Sequence, residues 1–203
     1  MIAAWSLQIV VRSIQSVQVS VAIDVSRRID VGGMQLLIVD NAFGRDQVAD
    51  VHRFVRDLPY RLNDFDTDAT AYARHLRAEL PVSLAETTPV FRDCVQIAKT
   101  LLARAPLRLN RVHANMMLHG DLQHPHPDLA DSVTAIYYAN LEWQDVWQGE
   151  TIFYDAAGEP LHAVAPRPGR LAIFHANLRH RAGVPSRACF EPRLSVAFKF
   201  APP

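Results

Sequence analysis

The chain has 203 residues, 49% of them hydrophobic, and its 21 Lys and Arg are balanced by 21 Asp and Glu. That length can bury a full core and fits one domain. The charge balance excludes the strongly basic surface that nucleic acid or an anionic membrane would select, so neither is expected as a partner. Cys94 and Cys189 lie far apart without metal-type spacing, which suits free thiols in a reducing cytoplasm while leaving one long-range disulfide open.

The N-terminal stretch has no basic region before its apolar residues and is interrupted by Arg12, Gln15 and Gln18, so it reads as neither signal peptide nor membrane span. A cytoplasmic protein is expected. The alternation in SIQSVQVSVAID predicts a half-buried strand, ended by SRRID and the Gly32-Gly33 pair. Residues 1–33 are expected to be an N-terminal extension or extra strand, with a single domain over 34–203. In that domain, MQLLIVDNAF predicts a strand, and Val48, Val51, His52 and Val55 recur at helical spacing until Pro59. The polar segment 60–81 predicts a loop with a short helix, and TPVFRDCVQIAKTLLARAP a second amphipathic helix. Residues 34–106 thus form a mainly helical support. From 107 to 203 the pattern changes to short β-branched and aromatic runs separated by Gly, Pro, Asn and Asp, which predicts a β-sandwich or barrel.

Seven of the nine histidines fall between residues 113 and 180, inside the β-rich half. Two histidines and a carboxylate suit Fe(II), since imidazole binds a borderline metal and the carboxylate offsets charge while three positions stay open. Two His-x-Asp pairs are available, His119/Asp121 and His126/Asp128. Spacing i, i+2 directs both side chains of a pair to one side of an extended chain. Pro127 holds His126 extended, whereas Gly120 permits almost any angle, so backbone chemistry favours His126/Asp128. Downstream, alternation on RLSVAFKF puts Arg193 and Ser195 on one face, a guanidinium fork beside a hydroxyl. That pair suits a carboxylate, and a metal beside a carboxylate anchor fits a 2-oxo acid cosubstrate.

The order of His126-Pro-Asp128, VTAIYYAN, EWQDVWQGETIFYD, AVAPRPGRLAIF, His180 and Arg193-Leu-Ser195 resembles the catalytic core of the 2-oxoglutarate and Fe(II)-dependent oxygenases, in the branch similar to prolyl 4-hydroxylase catalytic domains. The resemblance implies a mainly β fold with supporting helices, a double-stranded β-helix or jelly roll. It also implies His126, Asp128 and His180 as catalytic iron ligands, with His180 favoured over His175. Arg193, rather than Arg187 in the loop VPSRACFEP, would bind the distal carboxylate of 2-oxoglutarate, assisted by Ser195. Fe(II), 2-oxoglutarate and dioxygen are then required, with ascorbate as an auxiliary reductant. Two departures from the branch stand out: its anchor is often lysine, and its Gly-Gly-Glu is here Gln148-Gly149-Glu150.

Other residues carry smaller expectations. His113 and Asn115 alternate on RVHANMML and could face the cosubstrate or be hydrogen-bonded core groups. His124 could face the site or solvent; Trp143 and Trp147 are read as packing, and one of Tyr137 and Tyr138 as pocket-lining. Asp128 leaves no ligand position for a halide, which points to hydroxylation. The small chain favours a small-molecule substrate, an amino acid or natural-product intermediate, with peptidyl proline as the alternative and segments 60–87 and 140–150 as lids. A cupin-like metal or ligand binder without turnover is the reading from another class. No oligomeric seam is legible.

Overall fold

In the C-terminal strand every second side chain is bulky and apolar. Leu194, Val196, Phe198 and Phe200 therefore leave one face, while Arg193, Ser195, Ala197 and Lys199 leave the other, and all eight are buried. A strand of this kind must be covered on both sides. The computed structural model, describing residues 25–102, 106–128 and 132–203, shows how. Its elements are β1 (Arg27–Val31), β2 (Met34–Val39), α1 (Arg45–Arg56), β3 (Arg61–Asp64), β4 (His75–Leu80), α2 (Val82–Thr87), α3 (Pro89–Leu102), β5 (Arg108–Met117), β6 (Val133–Tyr138), β7 (Thr151–Tyr154), β8 (Pro160–Val164), β9 (Leu171–His175), β10 (His180–Arg181) and β11 (Arg193–Ala201).

Eight strands form an antiparallel sheet in the order β1, β2, β9, β6, β11, β5, β4, β3, and β10, β7 and β8 form a second, smaller sheet. This is the mainly β jelly roll with supporting helices that the sequence led us to expect. On one face of the large sheet, Val51 and Val55 of α1 and Phe91, Cys94 and Ile97 of α3 pack over Ala114, Ala135, Ile173, Val196 and Phe198. Phe91 meets Phe198 edge to face at 5.5 Å between ring centres. On the other face, Phe153 and Val164 of the small sheet close on Leu36, Ile38, Tyr138, Ala172 and Phe174. The apolar filling stops there; the opposite half of the inner face is polar.

Two local readings are corrected. The strand expected at 13–24 lies outside the described residues, and the charged run expected to end it is itself strand β1, turning through Gly32 and Gly33 onto β2. Segment 60–81 contains strands β3 and β4, with the expected short helix reduced to one 3-10 turn at Asp68–Thr70 in the connection between them, and β4 pairs with β5 through Arg77 opposite Asn115. Its alternation was invisible because Asp64, His75 and Arg77 face a polar cavity, so no apolar residue marks the inner side.

Candidate metal centre and its polar cavity

His126 and His180 are held opposite one another by reciprocal backbone bonds, His126 N–H to His180 O at 2.9 Å and His180 N–H to His126 O at 3.0 Å. Two residues on, the Asp128 N–H donates to Ala176 O at 2.8 Å, so both ends of His-Pro-Asp are pinned to the segment 176–180 that carries the other histidine. Pro127 between them has no N–H to lose from a ladder, and the segment lies outside the regular strands. The result brings one donor atom each from His126, Asp128 and His180 within 4.8 Å of one another, and it is the one such cluster of three among the described residues.

The surroundings prepare these groups as ligands. His126 Nδ1 lies 3.0 Å from His124 O and His180 Nδ1 lies 2.9 Å from Leu178 O, which places the ring N–H on Nδ1 and leaves Nε2 for a metal. Burial pushes His180 down to about 4, with Asp128 opposing and Lys199 adding to the shift, so the ring is neutral at neutral pH. Burial by itself would raise the Asp128 carboxyl; Lys199, His180 and Thr134 outweigh it and hold the group ionised, well below the usual carboxylate range. Lys199 pairs directly with Asp128 Oδ2, and Thr134 Oγ1 donates to the same oxygen at 2.6 Å. An imidazole Nε2 from each histidine and an ionised carboxylate are the donor set that suits Fe(II).

At the other end of the cavity sits Arg193, 1% exposed. Its Nε donates to Gly149 O at 2.7 Å, Nη2 to Thr151 Oγ1 at 2.9 Å and Nη1 to Ser195 Oγ at 3.4 Å, and its carbon lies 5.3 Å from the centre of the Tyr138 ring. Gly149 is required for this: at φ +85°, a Cβ there would come within 3.3 Å of Arg193 Cδ and 3.0 Å of Trp143. Every acceptor is neutral, and among the described residues no carboxylate lies at ion-pair distance from this buried guanidinium. Such a charge calls for an anion.

Both ends open into one cavity of about 220 Å³, which His113 and Asn115 also line. Asn115 is directly across from Ser195 and His113 from Ala197. Burial, reinforced by Arg77, Lys199 and Arg111, holds His113 neutral. The alternatives fall elsewhere. His119 Nδ1 lies 3.2 Å from Pro185 O and Asp121 accepts from the Leu118 N–H at 2.6 Å, so that pair braces a turn. His175 ends β9 outside the metal cluster, and Arg187 is exposed. His124 meets the Tyr72 hydroxyl at 3.1 Å, while Trp143 and Trp147 pack edge to face. Of the tyrosines, Tyr137 packs under the helices and Tyr138 backs Arg193.

Several residues at the site were not singled out from sequence. Lys199 was legible, two and three alternations beyond Ser195 and Arg193 on the same face. Asp66 had no signal. Its side chain is 1% exposed, with Oδ1 3.3 Å from His126 Nδ1 and Oδ2 accepting from the His124 N–H at 2.5 Å. It brings a carboxylate from the segment between β3 and β4 against the outer edge of a candidate ligand.

Residues 107–200 match the family model of the 2OG-Fe(II) oxygenase superfamily. A sequence comparison with the curated proteins finds no match. Among solved structures, the fold is similar to a Pseudomonas putida prolyl-4-hydroxylase (17% identity, TM-score 0.58, 83% of this chain and 92% of that one). It is also similar to a Trichoplax adhaerens prolyl hydroxylase in complex with a hypoxia inducible factor oxygen degradation domain peptide fragment (14%, 0.62, 82% and 83%). HygX from Streptomyces hygroscopicus, with nickel and 2-oxoglutarate bound, is a third (19%, 0.54, 82% of each chain). At these identities the structural likeness establishes the fold. Residues 107–200 thus match the 2OG-Fe(II) oxygenase superfamily model, and the matched region contains the His-Asp-His cluster, a donor set that suits Fe(II).

Proposed function

We propose that this enzyme hydroxylates a C–H bond of a small molecule, an amino acid or a natural-product intermediate, consuming dioxygen and releasing succinate and CO2. The observation that carries the reading is a three-donor cluster sharing one cavity with a buried, carboxylate-free Arg193. A metal binder without turnover has no use for that second feature. His126, Asp128 and His180 are the residues that hold iron, and Arg193 with Ser195 receives the distal carboxylate of 2-oxoglutarate. Asn115 and His113 flank the cosubstrate from β5.

Iron with 2-oxoglutarate supplies the oxidant that a C–H bond requires. The chain's own part is to position and to hold charge. Thr151 and Gly149 fix the guanidinium before any ligand arrives, so little freedom is lost on binding. Lys199 and Thr134 keep Asp128 ionised and oriented. Ala197, small and midway between Ser195 and Lys199, leaves the space in which the reacting groups meet. A cavity of about 220 Å³ lined by polar groups supports a small substrate over a long peptide.

The test is succinate formation from 2-oxoglutarate with Fe(II) and ascorbate, in the presence of amino acids and related small acids. Wild type is expected to exceed an Asp128→Ala control, and Arg193→Met to fall toward that control. If wild type never exceeds it, the reading is wrong. Turnover confined to proline-rich peptides would overturn the small-molecule assignment.

A further inference from the structure

We propose that Arg77 anchors the primary substrate by a carboxylate, through the Nε and Nη2 edge of its guanidinium, so that the substrates are small organic acids. The proposal rests on the assignment of Arg193 to 2-oxoglutarate, which leaves a second cation in the same cavity to be explained.

Arg77 reaches the cavity from β4. It is the direct cross-strand partner of Asn115, which in turn is the partner of Ser195, so it stands in the same row as Ser195 but two strands away. Its placement is built. Nη1 donates to Asp64 Oδ1 at 2.6 Å, and the other oxygen of Asp64 lies 3.0 Å from Nε2 of the buried His75. Although burial alone would raise it, Asp64 is drawn down to about 2 by His75 and Arg77, so this brace stays ionised. The buried brace holds the guanidinium at Nη1.

The opposite edge is unfinished. Nε is buried and has no hydrogen-bond partner. Nη2 pairs with Glu79, whose side chain is 64% exposed and free to turn into solvent. Nε and Nη2 are the two donors that together grip a carboxylate side-on. A buried donor left unsatisfied is costly, and a carboxylate gripped by this edge would relieve that cost. Nearby charge also selects an anion: Arg111 and Lys199 line the same cavity and, with Arg77, act on the unpartnered His113 Nδ1 side chain between them. Lys199 is engaged with Asp128, Arg193 is held by its own wall and Arg111 is exposed, whereas the Nε and Nη2 edge of Arg77 is held by nothing but an exposed carboxylate.

Calorimetry on protein loaded with Ni(II) and saturated with 2-oxoglutarate tests this, using free amino acids and 2-hydroxy acids, each beside its primary amide. At least one acid is expected to bind, with its amide weaker by about tenfold or more, the loss expected of one charged pair. Arg77→Gln should weaken that acid by about tenfold or more and leave 2-oxoglutarate binding within about twofold. Glu79→Gln, at an exposed site that cannot compromise folding, should tighten it about two- to fivefold by releasing Nη2. The proposal is overturned if no acid binds the loaded protein, if acid and amide bind alike, if Glu79→Gln and Arg77→Gln leave affinity unchanged, or if Arg77→Gln abolishes 2-oxoglutarate binding. Failure of the function proposed above looks different: wild type would then not take up 2-oxoglutarate at all.

Discussion

Leu194, Val196 and Phe198 leave β11 toward the helices, and Arg193, Ser195 and Lys199 leave it toward the cavity. Both sets are removed from water to the same degree. On the first face burial is the stabilising event itself, and neighbours are interchangeable if volume is kept. On the second, burial is a cost that each group offsets through a named partner: Lys199 through Asp128, Ser195 through Arg193, and Arg193 only in part. Depth in the fold therefore does not separate core from site; what separates them is whether a charge has been answered.

Substitutions on the two faces should fail differently. Phe198→Ala is expected to have the largest effect on stability, about 3–5 kcal/mol by urea unfolding, because it leaves a void against Phe91; metal affinity of the folded protein should not change. Lys199→Met removes the cation from the buried Asp128, at a cost of about 3 kcal/mol in metal-free protein. Its signature is recovery: Ni(II) or Zn(II), by replacing the lost positive charge, should raise its Tm more than that of wild type, and an equal rise would contradict the assignment of Asp128 as a ligand. Asp66→Ala leaves the His124 N–H without its acceptor, at a cost of about 1–2 kcal/mol, and should weaken metal binding about tenfold, since it frees the His126 ring from a carboxylate at its outer edge. Unchanged affinity would make Asp66 a merely structural group.

The smallest effect is on pH dependence. The ionised Asp64 is favoured in the fold, its value lying at about 2 against an ordinary 3.8. Its contribution is therefore complete above about pH 4 and is lost as pH falls through about 2. Asp64→Asn removes that contribution, so Tm should fall less steeply over this acid range than in wild type. An unaltered slope would show that His75 and Arg77 do not hold the carboxylate.

The legible part of the site was the part with a local rule. Pro127 between His126 and Asp128, and the alternation that pairs Arg193 with Ser195, are short-range statements about backbone direction, and the structure brings all four into one cavity with His180. The alternation on β11 also contained Lys199, which a longer reading of the same face would have reached. Asp66 and Arg77 obeyed no local rule. They lie on a segment whose inward residues are polar because the cavity is polar, which erased the period-two signal of β3 and β4 and made two strands read as a loop. Their roles exist only across strands, in contacts between residues 58 positions apart for Asp66 and His124 and paired through register for Arg77 and Asn115. The fold followed from the apolar pattern of α1, α3 and the strands beyond 107, whose buried faces match their spacing.

The central claim is that one metal and one 2-oxoglutarate bind side by side, on His126, Asp128 and His180 and on Arg193 with Ser195. Anaerobic calorimetric titration with Fe(II), followed by 2-oxoglutarate, tests it directly. Wild type should take up about one equivalent of each, as expected for a single three-ligand centre with open positions. Asp128→Ala should lose the metal, and Arg193→Met should keep the metal while binding 2-oxoglutarate about tenfold or more weakly. Wild-type stoichiometry and affinity retained in both variants would contradict the account.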